Sequence, residues 1–328
     1  MKIPFDKNTF INEDINIILD SLNSGDIGSS GKYTKKVNNM LSKMFCGSKV
    51  SLLTSCTHAL ETAMILLNIK EGDEVIIPSY SFPSTANAVL LRGGKPIFVD
   101  IEPENLNIDI SKIEEKINNR TKAIIPVHYA GIPCNMEKLM RLAKKYNVFV
   151  IEDAAQSFGT KYKDTLTGLL GDFGCFSFHS TKNYIAGEGG ALVQNIYNKE
   201  IYDRTDIIIQ KGTNRKKFLE GEVDKYSWVD IGSSYAPSDL LMAVLYTQLL
   251  KFEKIKHQRK IIFDIYNDNI KPNIDSNKIV YCIKVPKYCE YNYHMFYIIL
   301  KSEKIRKVLI KKLREKNINA YFHFMPLH

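Results

Sequence analysis

Lys182 ends the run Phe176-Ser177-Phe178-His179-Ser180-Thr181, with Asn183 next and Gly187-Glu188-Gly189-Gly190 just beyond. A lysine placed directly after an apolar strand is partly desolvated, so its pKa falls and the free amine can condense with a carbonyl to form an imine. Considered alone, one lysine among the 45 Lys and Arg residues of this chain is a solvated surface residue, the ordinary fate of that side chain. The glycines after it permit close packing around a ligand but serve equally as turn residues. A second stretch, Val148-Phe149-Val150-Ile151-Glu152-Asp153-Ala154-Ala155-Gln156, ends an apolar run on two carboxylates. Asp153, in a turn of small residues, can project into a cleft and hold a pyridine nitrogen protonated, which makes such a ring an electron sink. The competing reading is a helix N-cap. The third stretch, Thr54-Ser55-Cys56-Thr57-His58-Ala59, is a small polar turn between a strand and a helix. Free N–H groups and the helix dipole there favour a phosphate, with the Thr57 hydroxyl as a further donor. Ser and Thr are also the commonest plain N-caps.

The hydrophobic pattern supplies a scaffold that brings positions 57, 153 and 182 together. Residues 49–53, 74–77, 96–100, 122–127, 148–151, 173–178 and 190–194 read as short strands, with helices at 57–67, 84–91 and 135–146 between them. In the last helix the apolar positions 136, 139, 140 and 143 share one face. Continuous Val/Ile/Phe runs divided by helices indicate an α/β fold with a mainly parallel sheet flanked by helices. Open sheets of this kind place ligands at the carboxyl ends of their strands, where all three stretches fall. Residues 1–48 read as an N-terminal arm plus a helix at 34–45, with a Gly-Ser loop at 25–31; such arms often cross to a neighbouring subunit. The large domain is expected over 49–245. A long helix from 238 to about 269 leaves it, and a smaller α+β domain follows within 246–328, with strands at 279–285 and 295–300 and a helix at 305–316.

With 328 residues, 45% of them hydrophobic, the chain can bury a large core. The net charge of +9 comes from scattered Lys and Arg, and no basic stripe with interleaved aromatics marks a nucleic-acid surface. Cys46, Cys56, Cys134, Cys175, Cys282 and Cys289 form no Cys-x-x-Cys pair and show no zinc-ligand spacing with histidine; no metal is expected. Sparse cysteines suit a reducing compartment. The first residues show no charge backed by an apolar run, so no signal peptide is expected, and no apolar run reaches the length a membrane span requires. The expected location is the cytoplasm.

Phosphate turn, acidic strand end and lysine, in that order across one mainly parallel sheet, form the layout of fold-type-I enzymes that use pyridoxal 5'-phosphate. The blocks Pro78-Ser79-Tyr80-Ser81-Phe82, Val127-His128-Tyr129-Ala130-Gly131, Glu152 to Gln156 and Ser177 to Lys182 resemble the signatures of the DegT/DnrJ-type nucleotide-sugar aminotransferases, over about residues 3–328. Within that family, Lys211 to Arg215, Val223 to Tyr226 and Asp230 to Tyr235 are similar to members that aminate C4 of a TDP-linked 4-keto-6-deoxyglucose for enterobacterial common antigen. The resemblance implies that Lys182 is the Schiff-base lysine and proton carrier, and that Asp153 pairs with the pyridinium nitrogen. It also implies that Gln156 lies near the ring oxygen and Phe82 stacks on the ring, while Cys56, Thr57 and Ser177 contact the phosphate. The amino donor would be L-glutamate and the acceptor a nucleotide-linked keto sugar. The assembly would be a homodimer with active sites at the interface, Asn214 reaching the partner's cofactor.

Two features depart from the family pattern. Many members carry a Tyr-Asn pair before the long helix, whose Asn contacts the partner's phosphate; here the stretch is Tyr235-Ala236-Pro237. Members also continue beyond the equivalent of Met325-Pro326-Leu327-His328, completing the small domain with a further strand and helix. A truncated, incomplete small domain is therefore expected, leaving apolar faces of 295–300 and 305–310 partly uncovered. The rival functions are a truncated non-catalytic protein, a 3-aminotransferase, and a 4-aminotransferase giving the gluco product.

Overall fold

Val75, Ile76 and Ile77 are inaccessible to solvent on both faces of their strand, as a β-branched run in a sheet covered on two sides must be. The computed structural model describes residues 2–7, 10–274 and 278–328. In chain order, α1 (Asn12–Asn23) and α2 (Lys32–Met44) precede β1 (Lys49–Leu53), α3 (Cys56–Leu66), β2 (Glu74–Pro78), α4 (Pro83–Leu90) and β3 (Lys95–Val99). Next come β4 (Thr121–Ile124), α5 (Met136–Tyr146), β5 (Phe149–Asp153), the short β6 (Lys161–Tyr162) and β7 (Thr165–Leu166), then β8 (Phe173–Ser177) and β9 (Gly190–Gln194). The remainder is α6 (Lys199–Ile209), α7 (Arg215–Leu219), α8 (Asp239–Leu250), α9 (Phe252–Ile270), β10 (Ile279–Cys282), β11 (Cys289–Glu290), β12 (Ile298–Leu300) and α10 (Glu303–Glu315).

A seven-stranded sheet runs in the order β1-β9-β8-β5-β4-β2-β3. Neighbours from β3 through β8 are parallel, whereas β9 pairs antiparallel with both β8 and β1. Alternation along the strands sends neighbouring residues to opposite faces. Ile77 and Ile151 pack with Leu60 and Met64 of α3 on one face. Ile76 and Val150 pack with Leu139 and Ala143 of α5 on the other. Val193 and Phe176 extend the covered sheet beneath Val37 and Leu41 of α2 and Met242 and Leu245 of α8.

At the heart of this last cluster, Phe158 is 4% exposed and meets the rings of Phe45, Phe176, Phe178, Tyr184 and Phe252. Phe158→Ala is expected to cost about 3–5 kcal/mol, read as a lower denaturant midpoint, because five rings cannot all collapse into the space left.

Several expectations are revised. The long helix is two helices: Lys251, at φ −106° and ψ 19°, ends α8, and its side chain is held by the buried Asp14. The strand expected over 122–127 pairs as β4 only to Ile124; Pro126 has no N–H to donate to a ladder. The strand expected from Val148 starts instead at Phe149; it ends, as expected, on Glu152-Asp153, where Asp153 pairs with Cys175. Helix α1 lies inside the segment read as an arm, and both α1 and α2 pack on α8 of the same chain. Near the C-terminus, β10 pairs with β12, and β11 joins β6 and β7 in a separate three-stranded sheet. Residues of β12 are half-buried and α10 buries none fully, with Val308 47% exposed.

Candidate active site

The turn after β1 leads directly into α3. Ser55, in extended conformation, caps the helix by accepting from the His58 N–H at 3.1 Å. The N–H groups of Cys56 and Thr57 lie in the first turn, where no helical carbonyl can reach them. Thr57 Oγ1 is 2.7 Å from Ser84 Oγ, so hydroxyls from α3 and α4 meet beside those N–H groups. Gly190 lets the turn lie this close to the sheet. A Cβ there would sit 2.3 Å from the Ser55 carbonyl carbon.

Asp153 is buried at the last position of β5. Its carboxylate accepts from Thr85 Oγ1 at 2.8 Å and from the Ala155 N–H at 3.2 Å; Thr85 is in turn 2.8 Å from Ser81 Oγ. Burial pushes the Asp153 pKa above the usual carboxylate value, against the opposing pull of Thr85, the Ala155 N–H and the Lys182 charge. A buried carboxylate with two neutral donors lacks a full counter-charge. A protonated ring nitrogen would provide one.

Lys182 follows β8 in a loop stitched by backbone bonds: Phe178 N–H to Gly189 C=O at 2.8 Å, Ala186 N–H to Phe178 C=O at 2.7 Å, and Lys182 N–H to His179 C=O at 2.9 Å. Its side chain is partly buried. Desolvation pushes its pKa below the ordinary lysine value, with the negative ends of Cys56 and Asp153 acting the other way. Lys182 shares a small cavity with Gln156, Ser177, Asn183, Asn292 and His294. Gln156 Oε1 accepts from the Ala130 N–H at 2.6 Å, which leaves its amide NH2 as the group able to donate to a ligand.

The Asn292 side chain passes next to Gly131. The glycine has φ at +85°, and a Cβ added to it would meet Asn292 Oδ1 at 2.3 Å, so Gly131→Ala combines backbone strain with a clash. The variant is expected to lose about 1–3 kcal/mol of stability in chemical denaturation.

Phe82, 57% exposed, precedes α4 and faces Phe324 at a centroid distance of 6.0 Å. Tyr80 OH donates to the His323 carbonyl at 2.5 Å, and Tyr129 OH lies 2.9 Å from His323 Nδ1. Burial, then the Lys182 charge, brings the His323 pKa down to about 4, so this imidazole is neutral at physiological pH.

Of the residues expected from the sequence, Cys56, Asp153 and Lys182 interact electrostatically, and Gln156 and Ser177 line the Lys182 cavity. Thr57 joins them through α3. Asn214 does not. Its side chain bonds to Lys225 C=O and Ser227 N–H, and it lines a different cavity with Asp206, Lys216 and Lys217. Thr85, Asn183, Asn292, His294 and His323 were not singled out from sequence. The one local signal was at Thr85, three residues after Phe82 in the same helical turn; the others reach the site through tertiary folding. Among the described residues no group of three or more His, Cys, Asp or Glu side chains is placed to hold a metal ion, and no helix is long and apolar enough to cross a membrane.

The site's composition fits pyridoxal phosphate: a desolvated amine, a buried carboxylate without its counter-charge, and a helix N-terminus with hydroxyls. Comparison with known proteins agrees. The chain is 36% identical over 308 residues to GDP-perosamine synthase from Escherichia coli O157:H7, covering 94% of this chain and 80% of that protein. It is 35% identical over 323 residues to the uncharacterized protein MJ1066 of Methanocaldococcus jannaschii, covering 96% of this chain and 82% of the other. The putative sugar aminotransferase Spr1654 from Streptococcus pneumoniae, in its PMP form, superposes with a TM-score of 0.90 at 27% identity, covering all of this chain and 85% of that one. A PLP form of the same protein also matches, with a TM-score of 0.88. The fold is that of fold-type-I aminotransferases and the cofactor is pyridoxal phosphate. Residues 8–328 match the DegT/DnrJ/EryC1/StrS aminotransferase family, and the chain belongs to that family.

Proposed function

We propose that this aminotransferase moves the amino group of L-glutamate to the 4-keto carbon of dTDP-4-dehydro-6-deoxy-D-glucose, giving dTDP-4-amino-4,6-dideoxy-D-galactose for surface polysaccharide. The observation that carries the amino-transfer chemistry is the convergence of Lys182 and Asp153 on one partly buried site. Bound there, pyridoxal phosphate supplies an electron sink and a carrier for the amino group. The N–H groups of Cys56 and Thr57, with the Thr57 and Ser177 hydroxyls, would hold the phosphate. Asp153 would keep the ring nitrogen protonated, the Gln156 amide would donate to the ring oxygen, and Phe82 would cover the ring face. Lys182 Nζ, whose pKa desolvation lowers, would carry the proton away from the donor's α-carbon and, in the second half of the exchange, deliver one to the keto carbon of the acceptor. The aromatic mouth of Tyr80, Phe82, His323 and Phe324 suits the apolar face of a deoxy sugar.

The similarity to the subgroup acting on TDP sugars supports the dTDP acceptor. A second reading, with a GDP-linked acceptor, is favoured by the 36% identity to GDP-perosamine synthase. Product NMR with glutamate and each of the two nucleotide-linked 4-keto-6-deoxy sugars separates them. An axial 4-amino group on the dTDP sugar is expected. Turnover of the GDP sugar alone, an equatorial 4-amino product or any 3-amino product would overturn the assignment.

The proposed assembly is a homodimer. Phe218, Leu219, Trp228 and Val229 are exposed on the segment that carries Asn214, an apolar surface suited to burial against a second copy, with Asn214 placed toward the partner's site. Trp228→Glu is expected to shift sedimentation from dimer to monomer; an unchanged sedimentation coefficient would count against this interface.

A further inference from the structure

Asn292 and His294, on the connection between β11 and β12, touch two loops that must be correctly spaced for catalysis. Asn292 Nδ2 donates to the carbonyls of Gln156 at 2.8 Å and Phe158 at 3.1 Å, on the loop that follows Asp153. The Asn292 carbonyl accepts from Asn183 Nδ2 at 2.8 Å, on the loop that carries Lys182. Asn292 Oδ1 accepts from the His294 N–H at 3.1 Å. His294 Nδ1 lies 2.8 Å from Asn183 Oδ1.

This network fixes a proton. A carbonyl only accepts, so the group that Asn183 turns to Asn292 must be its NH2, and the oxygen is left to face His294. An amide oxygen also only accepts, so His294 Nδ1 must carry hydrogen. Burial, together with the neighbouring Lys182 and Arg259 charges, drives the His294 pKa well below the usual histidine value and keeps the ring neutral. Nε2 is therefore unprotonated.

We propose that His294, held as the Nδ1–H tautomer by Asn183, is a positioning residue that, together with Asn292, ties the Lys182 loop to the Gln156 loop. The chain's C-terminal segment thereby sets where the amine of Lys182 stands relative to the cofactor pocket built on β5. The proposal rests on Lys182 being the cofactor-binding lysine, and it uses the donor on Nδ1 rather than any direct action of Nε2.

The test is a pair of polar replacements in the cofactor-loaded protein. An asparagine amide reproduces the Nδ1 donor, whereas a glutamine amide reaches the place of Nε2. His294→Asn is expected to keep the wild-type visible absorbance maximum of the lysine-bound cofactor and its affinity. His294→Gln is expected to lose roughly 3–10-fold in pyridoxal phosphate affinity, the loss of one buried hydrogen bond, and to lower kcat more than it raises KM. Equal behaviour of the two variants, whether both retained or both lost, would overturn the proposal. Nitrogen-15 NMR of the holoenzyme gives an independent reading: a protonated Nδ1 and a bare Nε2 are expected, and the opposite tautomer would refute it. An absorbance band of the lysine-bound cofactor that persists in Lys182→Ala would instead fault the reading of Lys182 itself, so the two ideas fail separately.

Discussion

Lys182→Ala is expected to abolish the visible absorbance of the lysine-bound cofactor and to reduce amino transfer to both half-reactions' background. The proton transfer alone accounts for roughly 10²–10⁴-fold, and loss of the covalent link adds to it. Neighbouring side chains do not replace the lost group. His294 is held by Asn183, His323 is tied to Tyr129, and both are neutral and weakly basic in this setting. Cofactor should still bind, more weakly, through Asp153 and the turn at Thr57, so a spectrum of free-aldehyde type is expected on a protein that remains folded. Lys182→Arg should behave in the same way, because a guanidinium keeps the charge but offers no nucleophile. Residual turnover above a hundredth of wild type in either variant would contradict the role given to this residue.

Asp153→Asn is expected to produce the second largest effect and to move activity and stability in opposite directions. An amide cannot hold a ring nitrogen protonated, so kcat should fall on the order of 10²–10³-fold, the loss typical of a preorganised electrostatic contact. Without cofactor the same change should stabilise the fold. The folded pKa of Asp153 lies above its reference of 3.8 because of burial. Between those two values the folded state binds more protons than the unfolded one, so stability declines as pH rises through that window and the cost is complete above it. At neutral pH the carboxylate is therefore a burden in the cofactor-free protein, and the isosteric amide removes it. Melting of the cofactor-free proteins at pH 7 should give Asp153→Asn the higher Tm, and added pyridoxal phosphate should raise the wild-type Tm more than that of the variant. A lower Tm for the cofactor-free variant would show that the carboxylate has its counter-charge within the chain.

Several parts of this molecule were legible along the chain because they rest on local rules. The runs at 49–53 and 190–194 form strands with the expected bounds, since short, mainly apolar segments bounded by turn residues have few alternatives in a covered sheet. Helix α5 shows the expected face, with Met136, Leu139 and Ala143 buried. Less legible was the direction of β9. Its sequence is as apolar as that of a parallel strand, and only the short return from the Lys182 loop makes it run antiparallel. The break at Lys251 was also hidden, because α8 and α9 carry continuous helix-forming sequence and the chain bends where Asp14 captures the lysine.

By itself the sequence determined the chemistry available: a lysine after one strand, an aspartate at the end of another and a hydroxyl-rich turn after a third. These are properties of residue type and of the adjacent strand or helix, which a dozen neighbouring positions specify. The tertiary structure decided how those groups are held. Thr85 reaches Asp153 across 68 positions of chain, and His294 reaches Asn183 across 111; no local periodicity records such pairings. It also decided that Asn214 stands apart from the Lys182 cavity within one chain, and that the His294 ring carries its proton on Nδ1. Desolvation and hydrogen-bond direction depend on what lies around a side chain in space, and packing alone brings those neighbours in.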